Sequence, residues 1–128
     1  MEVKDLLFTK THEWIKVEGN IGIVGITDYA QQQLGEVVFI ELPQVDKEVE
    51  QFSSVGTIES TKAASDLYTP VSGKILEVNK NLEDQPNLVN ESCFQEGWIF
   101  KIELKDSKEL DNLLDYSQYQ ELIKEEEH

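Results

Sequence analysis

What this sequence has little of limits what it can do. One cysteine, Cys93, rules out an internal disulfide framework and any Cys-x-x-Cys metal or redox motif. Two histidines, His12 and the terminal His128, leave little material for a metal site. Basic residues are scarce, 11 against 26 acidic ones, for a net charge of −15. Such a chain repels phosphate backbones and anionic bilayers, so neither nucleic acid nor a membrane is an expected partner. No apolar run approaches the length that spans a bilayer, and the opening MEVKDLLFTK lacks the basic start and long apolar segment of a secretory signal. The expected setting is reducing and cytoplasmic. His-Glu-x-x-His, Gly-x-Ser-x-Gly and glycine-rich phosphate loops are also missing, so an enzyme of a familiar type would have to hide its apparatus.

What is present fits one folded domain over residues 1–128, with 39% hydrophobic and 29% charged residues. Residues 11–26 are β-rich apolar runs broken by Gly19-Asn20, a hairpin pattern. Thr27 is placed to cap a short helix over 28–34 that Gly35 closes. In 36–42, alternation puts Val37, Phe39 and Glu41 on one face and Val38, Ile40 and Leu42 on the other, until Pro43 ends the strand. Both faces are largely apolar, which predicts a strand near the core. Short strands are expected around Val49 and over 55–60, 66–69, 74–78 and 98–104, a mainly β pattern of sandwich or small-barrel type. After Leu104 the spacing turns helical. Asp106 with Glu109, and Ser117 with Gln120, read as capping boxes of C-terminal helices spanning about 107–125 and packed outside the sheets.

Few side chains are placed to do chemistry. Trp14 and Trp98 read as core, and Cys93 as a structural thiol. His12 and Glu13 are neighbours in an extended run and point to opposite faces, so they do not form an acid-base pair, though Glu13 stays open. The stretch VGTIESTKAASDLYT at 55–69 holds one cation, Lys62, between Glu59 and Asp66. Two short strands joined across 60–65 place Lys62 at or beside a hairpin tip, where Ala63, Ala64 and Ser65 leave its amine unobstructed. An exposed primary amine suits amide formation with an activated carboxylic acid. A Schiff-base lysine would need a desolvated pocket instead, and an ordinary solvated lysine needs no role.

The run IESTKAASDLYTPVSG resembles the lipoyl-attachment segment of the H-protein family of the glycine cleavage system. HEW at 12–14, VGITDYAQQQLGEVVFIELP at 24–43, LVNES at 88–92 and EGWIFKI at 96–102 extend the resemblance over nearly the whole chain. It implies a lipoyl-domain-like barrel-sandwich hybrid, lipoic acid on Lys62, and a recognition hairpin containing Glu59, Ser60 and Ala63. It further implies a cleft for the loaded arm at Glu13, Thr27 and Asp66. The implied role is a non-catalytic carrier. Its partners would be a pyridoxal-phosphate glycine decarboxylase, a folate-dependent aminomethyltransferase, a dihydrolipoyl dehydrogenase and a lipoate-attaching enzyme. Thr61 stands where the family commonly has valine, and ESCFQEGW at 91–98 departs from its usual Ser-Pro-Tyr loop. The alternatives are a relay passing lipoyl groups to 2-oxo acid dehydrogenases, a small enzyme with Lys62 as nucleophile, and an unmodified interaction module.

Overall fold

The computed structural model describes residues 2–127; His128 lies outside them. After a turn of 3-10 helix at Val3–Asp5 come β1 (Leu7–Phe8), β2 (Glu13–Glu18) and β3 (Ile21–Ile26). Gly19, at φ 62°, turns β2 into β3 as the sequence predicts. Helix α1 (Asp28–Leu34) follows; Thr27 Oγ1 accepts from Ala30 N at 3.2 Å, and Gly35 at φ 77° closes it. Next are β4 (Val37–Glu41), β5 (Glu48–Val49), β6 (Ser54–Ser60), β7 (Ala64–Tyr68) and β8 (Gly73–Val78). Two single-turn helices, α2 (Asn81–Asp84) and α3 (Leu88–Glu91), lead to β9 (Phe100–Leu104), a 3-10 helix at Ser107–Asn112 and α4 (Tyr116–Glu126).

The strands form two antiparallel sheets, one ordered β1-β2-β3-β9-β8-β5 and the other β4-β6-β7. Ile15, Val24, Ile75 and Ile102 of the large sheet and Ile40, Ile58 and Leu67 of the small one share a buried cluster. This is the expected sandwich, and among the described residues the strands do not close into a barrel. Trp14 follows the pleat to the other face of the large sheet, where it joins Leu6, Phe8 and Tyr119 beneath α4. The C-terminal helix therefore seals a second, smaller core.

Several local expectations need correction. In β4 the pairing with β6 shifts between Val37 and Phe39, so strict alternation breaks. Val37 and Ile40 are buried, while Val38 and Phe39 both face solvent. Asp106 does cap the 3-10 helix, accepting from Lys108 N at 3.0 Å, but Glu109 does not complete the box. Its carboxylate is taken by Ser72, whose N and Oγ donate to it at 2.8 and 2.7 Å. The second capping box lies two residues earlier than expected, at Asp115 and Gln118, because α4 begins at Tyr116. Trp98 is half-buried, with Lys101 Nζ 5.2 Å from its ring centre, rather than a core residue.

Candidate functional site

Strands β6 and β7 run in register to Glu59 opposite Ala64, and Ser60 N donates to Ala63 O at 2.8 Å. That leaves Thr61 and Lys62 as a two-residue tip. Neither has a positive φ. The turn is held instead by the Ser60 hydroxyl, which accepts from Lys62 N at 3.2 Å and Ala63 N at 3.1 Å. Thr61 N donates to Glu36 O at 3.0 Å, tying the tip to the segment between α1 and β4. The Lys62 stem lies across Gly35, where an added Cβ would stand 3.3 Å from its Cε. Lys62 is exposed and makes no ion pair among the described residues. A free amine on a fixed backbone, unshielded by the small side chains of Ala63 and Ala64, fits amide attachment of a carboxylic acid.

Below the hairpin, Glu13 is buried. The hydroxyls of Thr9 and Thr11 donate to its Oε1, and Tyr68 N donates to Oε2 at 3.1 Å. Burial strips water from the carboxylate and pushes its pKa up to about 7, further than the hydrogen bonds bring it down. Tyr68 also joins Glu13 to Asp66, since its hydroxyl donates to Asp66 Oδ2 at 3.3 Å. Thr9, Thr11, Tyr68, Phe8, Phe52 and Leu114 line a cleft of about 270 Å³ above Glu13. Cleft and lysine tip stand at opposite ends of β7: Tyr68 in the cleft lining is six residues from Lys62, about 20 Å along an extended chain.

Thr27 is not part of that group. Its hydroxyl serves the α1 cap and lies 2.6 Å from the Tyr119 hydroxyl, in a separate recess with Phe94 and Ile123. His12 turns the same way: Nδ1 is 2.8 Å from Tyr119 Oη, and Nε2 donates to Glu126 at 3.0 Å. It is thus directed away from Glu13, as expected, although at φ 72° it sits in the turn before β2. Cys93 is buried; burial, with the nearby Asp28 charge, pushes its thiol up to about 11, and its carbonyl accepts from Trp14 Nε1 at 3.0 Å. It is a structural residue. No cluster of His, Cys, Asp and Glu that could hold a metal occurs among the described residues.

The residues that sequence reasoning missed are supports. Asn90 bonds Gly35, Val37 and Gln31 at once, and Tyr119 joins His12 to Thr27. Tyr68 had a local signal, its i+2 spacing from Asp66 on one strand face; Asn90 and Tyr119 had none, because their partners lie far off in the chain.

A family model described as "Glycine cleavage H-protein" matches residues 6–126. A glycine cleavage system H protein of Symbiobacterium thermophilum is 57% identical over 94% of this chain and 94% of its own length. That of Carboxydothermus hydrogenoformans is 54% identical over 96% and 95%. A crystal structure of a glycine cleavage system H protein from Mycobacterium marinum superposes with a TM-score of 0.83 at 35% identity, covering 92% of this chain and 95% of that one.

Proposed function

The chain belongs to the glycine cleavage H-protein family, and from that premise we propose that it is a lipoyl carrier with no turnover of its own, holding lipoic acid as an amide on Lys62. The observation that carries this reading is the exposed, unpaired Lys62 on a tip fixed by Ser60 and Glu36. When bound, the lipoyl group supplies thiol-disulfide exchange, carrying the aminomethyl unit of glycine from a pyridoxal-phosphate decarboxylase to a folate-dependent aminomethyltransferase before reoxidation by dihydrolipoyl dehydrogenase. Tethering at Lys62 raises the local concentration of that group at each docked partner.

Glu13 lies behind Thr9, Thr11 and Tyr68 of the cleft lining, and with Asp66, which Tyr68 also holds, gives the cleft a negative field that suits a cationic amine. Near neutral pH Glu13 is poised between its two forms, and an ammonium in the cleft would favour the ionised one. Thr27 reaches this cleft only through Tyr119, whose ring stacks on Phe8 of the cleft lining. Glu59, Ser60 and Ala63 present the hairpin to the enzyme that attaches the acid.

Intact mass and peptide mapping of the full-length protein from its own cells should show one lipoyl addition, on Lys62. Lys62→Arg should abolish both that mass and glycine decarboxylation in a system rebuilt from purified partners. An unmodified Lys62 in native protein, or an active Lys62→Arg protein, would overturn the reading.

A further inference from the structure

The outer face of the β4-β6-β7 sheet carries an unusual arrangement. Pairing places Phe39, Glu59 and Ala64 in one rung across it and Glu41, Thr57 and Asp66 in the next. Phe39 is 52% exposed and Val38, at the irregularity in β4, is 51% exposed. Strict alternation would have turned one of this pair inward; the register shift presents both to solvent, next to the strand whose end forms the lysine tip. Exposed Glu36 and Glu41 flank the pair along β4 and exposed Glu59 is paired with Phe39, three residues before Lys62 on the adjoining hairpin.

If Lys62 is the attachment site, the installing enzyme meets a bare amine. All 11 basic residues of the chain are lysines, so the amine alone does not identify the target. Partners of the loaded protein can bind the attached group; the installing enzyme has only the surface around Lys62 to read. We propose that Phe39 and Val38, flanked by Glu36, Glu41 and Glu59, are the docking face for the enzyme that acylates Lys62, which must offer an apolar socket rimmed by basic side chains. The flanking carboxylates give orientation and encounter rate, and the two apolar side chains give residence time. The inference rests on the reading of Lys62 given above.

The test uses full-length unmodified protein with purified lipoate-attaching enzyme, lipoate and ATP, followed by intact mass. Phe39→Ser should lower kcat/KM for attachment about tenfold, mainly through KM. Glu59→Lys should do the same, added salt should mimic it in the unsubstituted protein, and Ile21→Thr, an exposed apolar change on the other sheet, should alter the rate less than about twofold. Calorimetry with Lys62→Arg separates docking from chemistry: the variant should bind the attaching enzyme, and adding Phe39→Ser should weaken that binding about tenfold. If Phe39→Ser does not fold, Val38→Ser and Glu59→Lys carry the same test. Modification of folded Phe39→Ser at the unsubstituted rate would overturn the docking face while leaving Lys62 as the site. Failure of the unsubstituted protein to be modified would overturn both.

Discussion

Asn90 holds the backbone of Gly35, its Nδ2 donating to the glycine carbonyl at 2.8 Å while its Oδ1 accepts from Val37 N at 2.9 Å. One side chain from α3 thereby fixes both the residue beneath the Lys62 stem and the residue before the register shift in β4. Asn90→Ala leaves a carbonyl and an amide without partners and should cost about 2 kcal/mol. Urea unfolding measures it. Asn90→Asp, which keeps the acceptor and loses the donor, should fall between.

Glu13 sets a pH dependence of stability. Its carboxyl titrates near 7 in the folded protein against an ordinary value of 4.5. Between those values the native state binds the extra proton, so stability falls as pH rises from 4.5 to 7 and stays lowered above. The full effect is about 3 kcal/mol. Glu13→Gln should therefore exceed the unsubstituted protein in urea midpoint at pH 8 and match it near pH 4. An equal difference at both pH values would contradict this account.

Tyr119→Phe removes the hydroxyl that His12 and Thr27 both contact, but keeps the ring stacked on Phe8 with centroids 4.5 Å apart. The expected loss is about 1–2 kcal/mol, confined to the attachment of α4. Hydrogen exchange should show faster opening of the α4 amides with the β6–β7 amides unchanged.

Gly25→Ala would put a Cβ 2.7–2.8 Å from the Trp14 indole, which its bond to the Cys93 carbonyl holds in place. Overpacking of this kind costs about 1–3 kcal/mol. Tryptophan emission should shift together with the unfolding midpoint.

Most of the fold was legible wherever the cause was local. The Gly19 turn, the Thr27 cap and the Gly35 stop depend on residues a few positions apart, and each stands where the sequence put it. The Lys62 tip was legible for the same reason, because Ser60 makes that turn with its own hydroxyl. Where a distant partner decides, local reading failed. Glu109 had the spacing of a capping residue, but Ser72 offers it two donors. Val38 and Phe39 had the alternation of a core strand, and the pairing with β6 overrode it. Thr27 matched a family motif, yet which recess it enters depends on Tyr119, 92 residues away.

The register shift in β4 also guards the chain against itself. β4 is an outer strand of its sheet, and an outer strand with flat, apolar, unpaired backbone invites a second copy to add on. Extra twist at Val38 spoils the flat template, and exposed Glu36 and Glu41 flank it with like charge. An apolar pair can thus stay open to solvent without offering a second copy a flat edge to extend.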